Sequence, residues 1–170
     1  MPRYDRGMTA PAAPPRRSPG EQLRLDAALT DLFQRRIAFN QALGLVVDSA
    51  CAPEPRIRFA MRPELVGHYL YGRLHGGVIS ATLDVMGSFA LMVAIGEKHA
   101  DESMEQVLHR FARMGTIDLR VDYLRPGMGE SFLATAEVTR LGGRIGSTQM
   151  RLENDEGTLI ATAAAAYVIS

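Results

Sequence analysis

From Val78 to Ile95 the chain is apolar or small at almost every position, and Asp84 is the one charged side chain in the run. That length exceeds an ordinary strand and predicts a buried helix starting at Gly76-Gly77. Elsewhere the pattern has a period of two. From Pro55 to Arg62, Ile57, Phe59 and Met61 alternate with Arg56, Arg58 and Arg62; from Thr116 to Leu124, Ile117, Leu119, Val121 and Tyr123 alternate with Asp118, Arg120 and Asp122. Both predict half-buried strands, the second stopped by Arg125-Pro126-Gly127. Residues 45–52 predict a short strand. Residues 131–141 and 144–153 predict two more around a Gly142-Gly143 turn, and 158–169 a last one after Asn154-Asp155-Glu156-Gly157. Strands joined by short turns pair antiparallel. Ala163 to Ala166 favours helix by propensity, yet small side chains in a central strand also let a helix lie close to the sheet.

Two further helical segments frame this sheet. Ser18-Pro19-Gly20-Glu21 has the form of a capping box with proline at the first helical position. The helix it starts is expected to carry Leu25, Leu29, Leu32, Phe33, Phe39 and Leu43 on one stripe and to end at Gly44 in a left-handed cap. In the charged stretch from Glu97 to Arg113, Ser103 is placed to cap a short helix with Met104, Val107, Leu108 and Phe111 on one face, read as an inserted flap or lid. The expected class is α+β: an antiparallel sheet against a long central helix, with an extra N-terminal helix.

Composition narrows the function. The 170 residues fit a disordered, proline- and arginine-rich leader over 1–19 and one domain over 20–170. Cys51 is the single cysteine, so no intrachain disulfide forms and a cytoplasmic location is expected. A formal net charge of zero gives no field for nucleic acid. Asp84 interrupts the longest apolar run, so no membrane association is expected either. His68, His75, His99 and His109 lack the spacing of metal ligands, and no Gly-x-Ser-x-Gly elbow occurs, so neither metal, cofactor nor serine nucleophile is expected.

The chemistry concentrates on the central helix. A helix N-terminus offers unpaired N–H groups and a partial positive charge to an oxygen that becomes negative, and Gly76 and Gly77 leave the approach open. Paired glycines also simply make tight turns. Asp84 follows Gly76 by eight positions, about 12 Å along a helix axis. One carbonyl cannot touch both, so a shared reaction needs two antiparallel copies of the helix, each N-terminus facing the other's Asp84. Asp84 as a hydrogen-bonded interface residue is the alternative.

His75-Gly76-Gly77, six helical residues, Asp84, and later Thr116 to Tyr123 running into Leu124-Arg125-Pro126-Gly127 together resemble the hotdog-fold acyl-CoA thioesterases of the phenylacetate-pathway type. The likeness covers about residues 40–169. It implies a sheet wrapped round a long helix, homodimers that often pair into tetramers, acyl-CoA as substrate, and no cofactor. It further implies that the Gly76 N–H polarises the thioester carbonyl, with Gly77 beside it. Asp84 of the neighbouring subunit would serve as general base or as nucleophile, Thr116 would hold the water, and His75 would support the loop, unless it is only structural. Where many relatives have an asparagine that also contacts the carbonyl, this chain has His68, whose imidazole N–H either replaces that donor or does not. Arg125, Arg140 and Arg144 are candidates for the coenzyme A phosphates or ordinary surface arginines. Two rivals remain: a hotdog hydratase or dehydratase, and an acyl-CoA binding or sensing module without turnover.

Overall fold

A computed structural model describes residues 16–51 and 53–169. The chain runs α1 (Pro19–Asp31), a π-helical turn (Leu32–Arg36), α2 (Ala38–Leu43), β1 (Val46–Ser49), β2 (Arg56–Ala60), β3 (Val66–His68), β4 (Arg73–Leu74), α3 (Gly76–Lys98), α4 (Met104–Phe111), β5 (Gly115–Tyr123), β6 (Ser131–Leu141), β7 (Ile145–Asn154) and β8 (Leu159–Val168). Six strands form one antiparallel sheet in the order β1-β2-β6-β7-β8-β5. Its inner face packs on α3, the hotdog arrangement that the resemblance implies.

Small residues set how closely helix and sheet approach. In β8, Ala161, Ala163, Ala165 and Tyr167 face α3 and are buried, while Ala164 points outward. The alanine run is therefore strand, as the packing argument requires and propensity alone does not. A Cβ on Gly87 would lie 2.3 Å from the Tyr167 hydroxyl, so glycine there lets the phenol reach the helix backbone. By length and apolarity α3 is able to cross a membrane, but Leu83, Met86, Phe89, Leu91 and Met92 on it are fully covered by the rest of the fold.

The N-terminal segment departs from one continuous helix. The Ser18–Glu21 capping box forms, but the wider π-helical turn and an extended Ile37 break the helix in the middle. The turn shifts the phase: Leu25, Leu29, Phe33 and Leu43 are buried, whereas Phe39, expected on the same stripe, is exposed. Buried Asn40 bridges the break by donating to the Phe33 carbonyl at 2.8 Å. Gly44 ends α2 at φ +72°, the expected left-handed cap.

Most of the expected leader, residues 1–15, lies outside the described residues; its last part is structured. The Arg17 guanidinium donates to the carbonyls of Gly96, His99 and Glu102, satisfying orphan acceptors at and beyond the C-terminal end of α3. The flap expectation also changes. α4 has its Ser103–Gln106 capping box, but it packs on α1 and α3, with Val107 fully buried and Phe111 edge-on to Phe33 at 5.2 Å. It is a fixed part of the core at the end of α3 remote from Gly76. Residues 66–74 make the short β3–β4 hairpin that leads into α3.

Candidate active site

The first turn of α3 has four N–H groups without intrahelical partners. His75 is the N-cap: its Nδ1 accepts from Gly77 at 2.8 Å, and its carbonyl accepts from Val78 and Ile79 at 3.0 and 3.2 Å. Accepting at Nδ1 places the proton of the neutral ring on Nε2. Only the Gly76 N–H has no acceptor among the described residues. Gly77, expected beside it at the substrate, has its N–H engaged by the cap and contributes only the lack of a side chain; a Cβ there would meet His75 Nδ1 at 2.9 Å. At Gly76 a Cβ would find only ordinary contact with the Tyr123 ring, 3.5 Å away. Nothing among the described residues requires glycine at position 76.

Asp84 stands two turns further along α3 and is half-buried. Two neighbouring strands hold it. Thr116 on β5 donates to Asp84 Oδ1 at 2.9 Å, and Tyr167 on β8 donates to the Asp84 carbonyl oxygen at 3.0 Å. Thr116 and Tyr167 are cross-strand partners, so one rung of the sheet orients the residue from both its carboxylate and its backbone. Burial, and then the negative charge of Asp84, push the Tyr167 phenol above its ordinary value. A β-bulge makes the Thr116 contact possible. Strict alternation would turn Thr116 outward with Asp118, and Ile117 inward; the register shift between Thr116 and Asp118 reverses this. Ile117, expected inside, is 57% exposed.

Along α3 as far as Ser88, the positions that sheet and helices leave open or partly open are Gly76 in the first turn and then Gly77, Ser80, Ala81, Asp84, Val85 and Ser88. They lie on one face. Gly76 and Asp84 remain separated by about 12 Å along the axis of a single protomer.

The other candidates divide. His68 ends β3 with its ring against Tyr71 at 4.9 Å and Tyr69 at 5.9 Å; its Nδ1 is buried without a partner, and it makes no hydrogen bond to the helix start among the described residues. Arg125 follows β5 near the Gly76 end and donates to the Leu159 carbonyl at 2.9 Å. Arg140 and Arg144 flank the β6–β7 turn, whose carbonyls accept from Lys98. That turn is at the opposite end of α3, about 33 Å from Gly76 along the axis. Within one protomer the three arginines therefore do not converge. The sequence reading also assigned no role to Tyr123, which donates to the Gly76 carbonyl at 3.1 Å. Its place in the Tyr-Leu-Arg-Pro-Gly strand end was visible, but not its reach to the helix.

Residues 71–161 match the family model described as thioesterase superfamily. Over 139 residues, spanning 82% of this chain and 90% of the relative, the chain is 37% identical to the medium/long-chain acyl-CoA thioesterase YigI of Escherichia coli K12. A crystal structure of a Shewanella oneidensis protein related to the thioesterase superfamily superposes with a TM-score of 0.85 at 33% identity, covering 91% of this chain and all of that one. The PaaI protein of the E. coli phenylacetic acid degradation operon shares the fold at 15% identity and a TM-score of 0.64, over 86% of this chain and 94% of its own.

Proposed function

Because this chain belongs to the thioesterase superfamily, we propose that it hydrolyses acyl-CoA thioesters to the free acid and coenzyme A at sites shared between two subunits. The observation that carries the reading is the single unoccupied N–H at Gly76, at the positive end of a helix whose open face also bears Asp84. The thioester carbonyl accepts from that N–H. The partner subunit's Asp84 takes a proton from water, and the resulting hydroxide adds to the carbonyl carbon. Gly76 then holds the tetrahedral oxyanion, and collapse expels the coenzyme A thiolate, which recovers the proton from the carboxyl group. Thr116 keeps the carboxylate oriented, while its hydroxyl oxygen still has lone pairs for the water.

Antiparallel packing of two α3 helices through their open faces brings each Asp84 to the other's Gly76. The small side chains of Gly77, Ser80 and Ala81 suit close helix approach, and beside them runs β5, an edge strand paired among the described residues only with β8. The likeness to YigI supports medium- and long-chain acyl groups. Thiol release should be measured across acyl-CoAs from acetyl to palmitoyl, with Asp84→Asn alongside. Turnover is expected to fall about 100- to 10,000-fold in the variant. Equal rates would remove Asp84 from the mechanism, and tight binding without release by the wild type would leave an acyl-CoA binding module instead.

A further inference from the structure

The Gly76-Gly77 pair combines a functional demand with a physical weakness. A donor aimed at a developing oxyanion must be held still beforehand, yet consecutive glycines are the most permissive backbone available. Two contacts restrain the pair from opposite sides. His75 Nδ1 accepts from Gly77 at 2.8 Å, and the Tyr123 hydroxyl donates to the Gly76 carbonyl at 3.1 Å, with its ring 3.5 Å from where a Gly76 Cβ would stand.

The Tyr123 contact is not explained by stability. The Gly76 carbonyl already belongs to the helix ladder as the acceptor for the residue four positions on. Tyr123 itself is 55% exposed, so its ring buries little surface in the protomer. It stands among other uncovered apolar side chains. Leu74 N–H donates to the Gly127 carbonyl at 2.9 Å, lacing the segment after β5 to the hairpin that precedes α3. Tyr69, Leu70, Tyr71, Leu124 and Met128 lie on these two segments and Tyr123 ends β5 beside them in sequence; they are six of the ten exposed large hydrophobics among the described residues. That concentration marks a patch rather than the usual scatter of single residues.

We propose that Tyr123 is a positioning and specificity residue of the acyl-CoA site: its hydroxyl on the Gly76 carbonyl, with His75 Nδ1 on the Gly77 N–H, fixes the Gly76–Gly77 peptide plane and so holds the Gly76 Cα from which the adjoining free N–H is aimed at the thioester oxygen, and its ring is the wall on which the apolar part of the thioester rests. This rests on the acyl-CoA reading above. The two functions of the side chain separate by substitution. Tyr123→Phe keeps the wall and loses the tether; Tyr123→Ala loses both. Because the ring is half exposed, both variants are expected to fold, which their melting temperatures check.

The full-length variants should be assayed for thiol release from decanoyl-CoA, and for binding of S-decyl-CoA, the thioether that cannot be hydrolysed. Tyr123→Phe is expected to keep KM and thioether affinity within about twofold while kcat falls about tenfold, the effect of one lost hydrogen bond. Tyr123→Ala is expected to show the same kcat loss and, in addition, about tenfold weaker thioether binding. A Phe variant with wild-type kcat, or an Ala variant that binds the thioether as tightly as wild type, overturns the proposal. If the wild type releases no thiol, the hydrolytic reading fails by itself. The binding arm then decides the present one: affinity unchanged in Tyr123→Ala overturns it, and a tenfold loss upholds the wall.

Discussion

The two glycines that open α3 look alike in the sequence and have different jobs in the structure. Gly77 is required by the cap, since a side chain would press on His75 Nδ1, whereas Gly76 has room for a methyl group. Gly76→Ala is therefore expected to melt with the wild type but to lose at least about tenfold in thioester turnover, because the added methyl stands where a ligand must approach. Gly77→Ala is expected to lower the melting temperature by about 2–4 °C, corresponding to roughly 1 kcal/mol for a weakened cap. Thermal melts of both variants, read beside thiol-release rates, check the pair. Equal melting losses would show that position 76 also serves packing.

Between neighbouring elements, a two-point ion pair ties α4 to the loop after α3. Arg110 Nε donates to Glu102 Oε2 at 2.9 Å, its second nitrogen bonds the other oxygen, and His99 stands at 3.3 Å. The hydrogen bonds from Arg110, opposed in part by burial, hold the Glu102 carboxyl below its ordinary value of 4.5. A carboxylate whose folded value is depressed stabilises the fold above its unfolded value and loses that contribution as pH falls through the folded one. Glu102→Gln is thus expected to melt about 2–4 °C below wild type at pH 7, with the gap closing as the pH falls below the ordinary value of 4.5 and through the depressed folded one. Melts across that range test it; a gap that persists in acid would assign the effect to packing.

The same scale shows what a single sequence makes legible. Both N-caps, Ser18 with its capping box and Ser103 as a simple cap, were readable because a few local residues determine them. The inward alternation of Ile57 and Phe59 was readable because the period is two. The π-helical turn that turned Phe39 outward, and the bulge that aimed Thr116 at Asp84, were not. Each inserts one residue's worth of phase that the apolar pattern does not signal, and for the bulge the partner, Asp84, is 32 positions away. The Arg17 cap on α3 was hidden for the same reason: its acceptors are about eighty positions away. At the candidate site, Gly76 and Asp84 were legible from their oddity in an apolar run, while Tyr123 and Tyr167 resembled any strand aromatic.

For the whole molecule, the shared site makes a prediction that no property of one protomer can imitate. If Gly76 and Asp84 act across an interface, subunits carrying Gly76→Val and subunits carrying Asp84→Asn are each inactive alone. Mixed after unfolding and refolding, they form heterodimers in which one site has both native groups and the other has neither. Random pairing makes half the dimers heterodimers with one working site in two, so about a quarter of wild-type activity is expected to return. Thiol release from the mixture, with light scattering to count subunits, is the measurement. Two dead variants that stay dead when mixed would place both residues in one protomer's site or outside the reaction.

The central helix has a cost during synthesis. α3 ends at Lys98, but the three strands that cover most of it, β6 to β8, are complete only at Val168, seventy residues later. At elongation rates of about 5–20 residues per second, the most apolar segment of the chain spends roughly 4–14 s before its cover exists. For that interval a nascent chain presents the kind of greasy helix that chaperones and insertion machinery recognise. Slow codons placed between β5 and β8 should lower the yield of folded protein more than the same codons placed ahead of Gly76.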